Sequence, residues 1–363
     1  MAGFPAHPDA LDVTWLTQRL HEAGLLGHDA AVTTARWEPI GTGQVGDSVR
    51  IHLDYDRARA GPATLAAKFP AEDETSRNTA AMFGLYRKEV HFYRDIAPHV
   101  AVRVPRALAA EVDESGAQFV LLFEDLAPER GGNQIHGCGI EDARAGIRQA
   151  AALHAPSWHN DALLELDWIR PVSGVSQQVM TLYPNAQAIF RERYADALEP
   201  ELMAVCEGLC DAGALWFMRD PNPQCVVHGD FRLDNMLFGV GGGREPIAIL
   251  DWQTVAIGTA MTDIGYFLGC GIGNDLRRKH ERELLDLYAD EMGRRGVRLS
   301  RETMWEEYRV GALHGVSTAV FSAAYVERTP RGDENFLSMA RGACALALEH
   351  DSLGALKTAK ETA

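Results

Sequence analysis

Hydrophobic positions along the chain follow two different periods, and the change of period organises it. Leu11, Trp15, Leu16, Leu20 and Leu25 recur at near-helical spacing over residues 11–26, with Gly24 and Gly27 at the end, which predicts an opening amphipathic helix. Val49, Ile51, Leu53 and Tyr55 then alternate with Arg50, His52 and Asp54, the period of a half-buried strand. The glycines of "WEPIGTGQVGDSVRIHLDYD" therefore fall in a turn between strands. "ATLAAKFP" is a second short strand, closed by Pro70. From Thr79 to Ala97, Met82, Tyr86, Val90, Tyr93 and Ala97 form a helical stripe that Pro98 stops. "QFVLLFEDL" is a buried strand running into an acidic turn.

After the Gly-rich connector "APERGGNQIHGCG", helical periodicity dominates, over 141–155, 201–218, 278–295 and 302–325. A short turn, "GVGGGREP", precedes one more apolar strand in "IAILDWQ". The pattern predicts an α+β chain in two parts: 1–126, a strand-rich lobe braced by the opening helix, and 127–363, a larger and mainly helical lobe. A length of 363 residues fits two lobes better than one core.

Composition narrows the partners. The formal net charge of -16 opposes binding to nucleic acid or to an anionic membrane. Such a surface serves solubility, and it also favours a cationic small molecule. The six cysteines lack C-x-x-C spacing and read as reduced thiols. Cys206 and Cys210 are four apart, but no second His/Cys pair accompanies them, so a core role is preferred to a metal site. The start "MAGFPAHPDALDVTW" has no basic and apolar leader pattern, and no apolar run approaches a membrane span. The expected compartment is the cytoplasm.

The chemistry concentrates in "VVHGDFRLDNMLFG", where His228-x-Asp230 is followed five residues later by Asn235, with Asp251 beyond the glycine turn. This is the phosphoryl-transfer set of kinases: the first Asp accepts the proton of the attacking hydroxyl, while the Asn and the later Asp hold Mg²⁺ on the nucleotide phosphates. A polar turn between strands, with His228 a satisfied core histidine, is the bland alternative. Three features upstream occur in the template's order: Gly41-x-Gly43-x-x-Gly46, whose backbone can approach phosphates, Lys68 in an apolar strand, and Glu89 in mid-helix. A dinucleotide fold would need a helix directly after those glycines, whereas a strand pattern follows. An ordinary hairpin, a snorkelling strand lysine and a solvated helix glutamate are the plain readings of these three.

"VVHGDFRLDNMLF", "ILDWQ", "TDIGYFL", "LLFEDL" and "AALHAPSW" resemble the aminoglycoside phosphotransferase and choline kinase superfamily, in particular its ecdysteroid-kinase-like branch of small-molecule kinases. The resemblance covers about residues 35 to 325. It implies a protein-kinase-like fold with a nucleotide cleft between two lobes, ATP as donor, Mg²⁺, and a small hydroxyl-bearing acceptor. It further implies that Asp230 is catalytic, that Asn235 and Asp251 hold the metal, and that Lys68 and Glu89 orient phosphate. The backbone of Glu124, Asp125 and Leu126 corresponds to the adenine-receiving hinge, His228 to a brace, and Asp263 to an anchor of the catalytic loop or, read plainly, a helix cap beside Thr262.

Trp252 and Gln253 stand where protein kinases carry Phe-Gly, and no A-P-E segment follows, which counts against a protein substrate. Arg232 has two readings, a donor to the transferred phosphoryl group or a loop salt bridge with Asp234. Trp158, Trp305, Tyr308 and His314 are candidates for the acceptor pocket, and helical spacing also explains them as core. Two other functions compete: a catalytically silent nucleotide-binding or scaffold module of the same fold, and a metal hydrolase using His228, Asp230 and Asp251, which lacks further His ligands. The acceptor's identity and the oligomeric state are not encoded in these motifs.

Overall fold

The computed structural model describes residues 3–41, 46–170, 174–220 and 222–362. Contacts divide the chain into two compact units, one of residues 1–99, 103–129 and 239–254, the other of 100–102, 130–238 and 255–363. No single cut in the sequence separates them, because 239–254 belongs with the first unit.

The first unit is built on a five-stranded antiparallel sheet, β1 (Val32–Pro39), β2 (Gly46–Tyr55), β3 (Thr64–Pro70), β4 (Ala107–Val112) and β5 (Phe119–Glu124), in the order β1-β2-β3-β5-β4. Alternation decides its faces. Val49, Ile51 and Leu53 of β2 with Leu65, Ala67 and Phe69 of β3 close a core with Leu16 and Leu20 of α1 (Val13–Glu22). Asp12 caps that helix by accepting from Trp15 N. β5 is buried from Phe119 to Phe123: Val120 and Leu122 join that core, while Phe119 stacks on Tyr86 and Phe123 packs on Tyr93.

The single helix expected over 79–97 is divided. α2 (Glu74–Met82) and α3 (Leu85–His91) are separated at Gly84, whose φ of 67° is left-handed. After α3 the coil widens to a π-type turn over Phe92–Ile96. Tyr86, Val90 and Tyr93 of the expected stripe are buried, but Met82 lies before the break and is exposed. The "GVGGGREP" segment does turn back on itself, with Val240 bridged to Glu245 and the strand Glu245–Ile249 following.

The second unit is mainly helical. Its long elements are α4 (Ile140–Ser157), α5 (Val175–Tyr194), α6 (Pro200–Asp211), α7 (Ala260–Tyr266), α8 (Asn274–Arg294), α9 (Arg301–Gly311), α10 (Leu313–Tyr325), α11 (Pro330–Glu349) and α12 (Ser352–Thr362). The helix expected over 302–325 is broken between α9 and α10. A Cβ on Gly311 would stand 2.1 Å from Met261 O, so α9 ends where it meets α7. Two short strands, β6 (Cys225–Val227) and β8 (Ala256–Gly258), pair antiparallel, and β7 (Met236–Gly239) pairs with Arg130–Gly131. The segment between β6 and β7 carries His228, Asp230, Arg232 and Asn235, and α7 carries Asp263. No helix among the described residues is long and apolar enough to cross a membrane.

Candidate active site

In the first unit the period of β3 fixes the cation. Leu65, Ala67 and Phe69 face the core shared with α1, so Lys68 projects from the opposite face of the sheet. There its Nζ lies 2.7 Å from Glu89 Oε2 and 3.0 Å from Asp251 Oδ1. Burial works to neutralise this ammonium, but the Asp251 and Glu89 carboxylates outweigh it and hold its pKa above the ordinary lysine value. Lys68 is thus a fixed cation between two carboxylates drawn from distant parts of the sequence.

Asp251 has φ 62°, in the left-handed region. Aspartate adopts that conformation more readily than most residues, and the surroundings hold it there. Trp252 beside it is fully buried, stacked on Phe92 with centroids 3.7 Å apart and planes 4° from parallel. Gln253 Nε2 lies 3.4 Å from the second oxygen of Asp251. The two residues that replace Phe-Gly thus brace the turn.

Gly46 opens β2 against the lysine: a Cβ there would lie 3.0 Å from Phe69 O and 3.3 Å from Lys68 Cε. Gly41 is left-handed, φ 77°. Gly43 lies outside the described residues. Along 124–126 the carboxylates are engaged by arginines. Glu124 Oε1 accepts from Arg103 Nη1 at 2.8 Å, and Asp125 accepts from Arg50 Nε at 2.7 Å and Nη2 at 3.2 Å. Burial raises the Asp125 pKa, and the Arg50 pair outweighs it to leave the carboxyl below its ordinary value. Leu126 O accepts from Gly241 N at 2.9 Å.

The second unit holds the other group. Asp263, fully buried on α7, accepts from His228 N at 2.7 Å, Gly229 N at 2.9 Å and His154 Nε2 at 3.2 Å. It lies within the first turn of α7 rather than at its cap. His228 Nδ1 accepts from Asp230 N at 3.2 Å, and Gly229 O accepts from His314 Nε2 at 2.9 Å. The backbone approaching Asp230 is therefore pinned from α7 and α10, and His154 of α4 holds the Asp263 carboxylate in place.

The Asp230 carboxylate is itself fully framed. Oδ1 accepts from Tyr266 OH at 2.8 Å, and Oδ2 from Asn235 Nδ2 at 2.8 Å and Arg232 Nε at 3.0 Å. Burial raises its pKa, and Arg232, His228, Tyr266 and Asn235 together outweigh that, so it stays an anion. Arg232 Nη1 also reaches Asp234 Oδ2 at 3.3 Å, so the loop salt bridge read from the sequence is present. Asn235 Nδ2 bonds Asp230 O as well, at 2.9 Å, which sets the amide so that Oδ1 is the atom left for a ligand.

Several residues at this centre carried no role in the sequence reading. His154 and Tyr266 sat unassigned within quoted motifs, and Gln134 and Gly132 within the connector. Gln134 N donates to Asp234 Oδ1 at 3.0 Å and its Oε1 accepts from Leu233 N at 3.2 Å. Gly132 N donates to Met236 O at 2.8 Å, and a Cβ at Gly132 would meet Leu233 O at 2.1 Å. Gly132→Ala must displace backbone and is expected to cost about 1–3 kcal/mol, read in denaturant unfolding. Of the four aromatic candidates for an acceptor pocket, His314 touches the Asp230 loop. Tyr308 is buried against Glu281, and Trp305 packs on His350 beneath Arg282. Trp158 packs edge-on against His159.

Among the described residues no group of three or more His, Cys, Asp or Glu could hold a metal ion. Asp251 in the first unit offers a carboxylate and Asn235 in the second an amide oxygen, each a hard oxygen donor of the kind that Mg²⁺ takes.

A protein-kinase-like phosphotransferase fold is what these parts define: an antiparallel sheet carrying the lysine, and a helical unit carrying the His-x-Asp loop. The chain belongs to the ecdysteroid kinase-like family, whose model matches residues 45–299. Its structure is similar to that of aminoglycoside 2'-phosphotransferase-IIIa in a GDP complex, with 14% identity, 92% of this chain and 99% of that one covered, and a TM-score of 0.53. It is likewise similar to choline kinase from Cryptosporidium parvum Iowa II, with 12% identity, 94% and 95% covered, and a TM-score of 0.54. At such identities the likeness is one of fold. A stretch of 60 residues is 38% identical to acyl-CoA dehydrogenase family member 11 of Rattus norvegicus, covering 15% of this chain and 8% of that protein. The match to the Homo sapiens protein of that name covers 14% of this chain and 7% of that one, at 39% identity over 56 residues. The chain thus spans only a small part of the curated relatives it matches.

Proposed function

We propose that the protein transfers the γ-phosphoryl group of ATP, with Mg²⁺, to a hydroxyl of a small molecule. The observation that carries this reading is the Lys68 ammonium held at 2.7 Å from Glu89 and 3.0 Å from Asp251. An ammonium so placed is fixed to align the α and β phosphates, as a kinase lysine does. Asp251 of the first unit and the Oδ1 of Asn235 of the second are each an oxygen donor for Mg²⁺, which would supply charge neutralisation at the phosphates. Asp230, anionic and framed by three donors, orients the acceptor hydroxyl and takes its proton.

The arginines that occupy the side chains of Glu124 and Asp125 leave adenine recognition along 124–126 to main-chain groups. The backbone at Gly41 and Gly46 is read as the part that approaches the phosphates, and Gly43, the third glycine of that motif, lies outside the described residues. Arg232 acts first as a brace between Asp230 and Asp234. That the similar structures are an aminoglycoside phosphotransferase with GDP bound and a choline kinase supports a nucleotide donor and a small acceptor.

The test is phosphoryl transfer in a panel of kanamycin, choline, short amino alcohols, sterols and hydroxy acids, and then in a metabolite extract. ATP and GTP serve as alternative donors, and mass spectrometry follows the gain of one phosphoryl group. The expected result is an Mg²⁺-dependent phosphorylated product. Tight nucleotide binding with no turnover on any acceptor or water would instead make the protein a silent nucleotide-binding module.

A further inference from the structure

Both oxygens of Asp230 already have partners, and the count separates them. A carboxylate oxygen offers about two in-plane lone-pair sites. On Oδ2 both are taken, by Asn235 Nδ2 at 2.8 Å and Arg232 Nε at 3.0 Å. On Oδ1 one is taken, by Tyr266 OH at 2.8 Å. An acceptor hydroxyl therefore has one place to donate, the remaining site of Oδ1. We propose that Tyr266 is a positioning residue for the transfer, selecting Oδ1 as the oxygen that receives the acceptor's proton and fixing the plane of the carboxylate toward it.

The inference rests on the reading of Asp230 as the base. In that step the acceptor's O–H proton passes to Oδ1 while its oxygen forms a bond to the γ phosphorus. The bond from that phosphorus to the β–γ bridging oxygen breaks, and its electron pair leaves with ADP.

Tyr266 is built to hold this position. Its side chain is fully buried, and the His314 ring meets it edge-on with centroids 5.3 Å apart at 83°. His314 in turn donates to Gly229 O, one residue before Asp230. The helix beneath it cannot slide, since a Cβ on neighbouring Gly265 would stand 2.6 Å from Ala312 N, and one on Gly315 would lie 3.4 Å from Tyr266 Cδ2. Asp263, three residues earlier on the same helix, holds the His228 and Gly229 amides. α7 thus grips the loop twice, at its backbone and at its reactive carboxylate. Directly after Tyr266 the helix widens to a π-type turn over Phe267–Gly271, a local irregularity that recurs at functional positions. Burial, and then the charge of Asp230, push the Tyr266 pKa well above its ordinary value, so the hydroxyl remains a donor.

The test compares Tyr266→Phe, Asp230→Asn and the unaltered full chain, using Mg²⁺–ATP with water as acceptor, and also any acceptor found in the panel. Tyr266→Phe is expected to lower kcat by about ten- to a hundredfold, the loss of one hydrogen bond to a charged group. KM for ATP should stay within about twofold, and the thermal midpoint within a few degrees. A Tyr266→Phe enzyme with wild-type kcat beside an inactive Asp230→Asn would overturn the positioning role while leaving the base in place. Turnover retained by Asp230→Asn would remove the base, and the positioning role with it. If Tyr266→Phe lowers the midpoint further, Tyr266→His decides, because it keeps a ring N–H: kcat above that of the Phe variant supports the inference, and kcat equally low overturns it.

Discussion

Asp230→Asn is expected to lower phosphoryl transfer by about 10²–10⁴-fold while ATP still binds. An amide occupies nearly the same volume but cannot take a proton, and proton transfer to a positioned side chain is worth roughly that factor. Converted at about 1.4 kcal/mol per decade, it corresponds to ~3–6 kcal/mol of transition-state stabilisation. The substitution also disturbs the frame, because the new NH₂ must face either Tyr266 OH or the pair Arg232 Nε and Asn235 Nδ2, all of them donors. Lys68, Glu89 and Asp251 make no use of Asp230 in their own ion pairs. Single-turnover transfer of the γ-phosphoryl group, with ATP affinity measured beside it by calorimetry, separates the two effects. Equal losses in both would deny Asp230 a role specific to the transfer.

Asp263→Asn is the substitution expected to damage the fold most, by about 3–5 kcal/mol at neutral pH. The side chain is fully buried and receives two backbone amides and the His154 ring. An asparagine keeps one acceptor oxygen and turns an N–H against a donor. Burial raises the Asp263 pKa, and the His154 hydrogen bond, the charges of His154 and His228 and the His228 amide outweigh it, so the folded pKa lies below the ordinary value. A carboxyl depressed in this way contributes stability that is fully present above its unfolded pKa of about 3.9 and is lost as pH falls through the lower folded value. The stability gap between the unaltered chain and Asp263→Asn should therefore be constant from about pH 5 to 7 and shrink below about pH 4. Urea unfolding across that range checks both the size and the trend.

What could be read from the sequence follows from what periodicity encodes. The alternation of Leu65, Ala67 and Phe69 put Lys68 on the opposite face of its strand, and the buried run through Ile249 carried Asp251 to a strand end. The spacing from His228 to Asn235 sufficed to bring the asparagine back to Asp230, because a turn spans it. Contacts made across long separations had no such signal. Tyr266 lies one helical turn from Asp263, so the two share a face of α7, yet nothing local says that this face meets a residue 36 positions earlier. The break at Gly84 was masked by a stripe that continued through it, with exposed Met82 matching the period by coincidence. Arg50 read as the polar side of an alternating strand, whereas it is the partner of Asp125. The helices α5 and α11 were missed because Pro184 interrupts the first and small residues fill the second, blunting the periodic signal on which such readings depend.

The proposed phosphotransferase depends on Asp251 serving a metal-bound nucleotide. Calorimetric titration of ATP into the full chain, with and without Mg²⁺, and again with Asp251→Asn, decides whether it does. Affinity should rise at least about tenfold with Mg²⁺ in the unaltered chain, a carboxylate–metal contact contributing more than a kcal/mol, and Asp251→Asn should abolish that gain. An ATP affinity indifferent to Mg²⁺, or a gain that survives in Asp251→Asn, would contradict the claim.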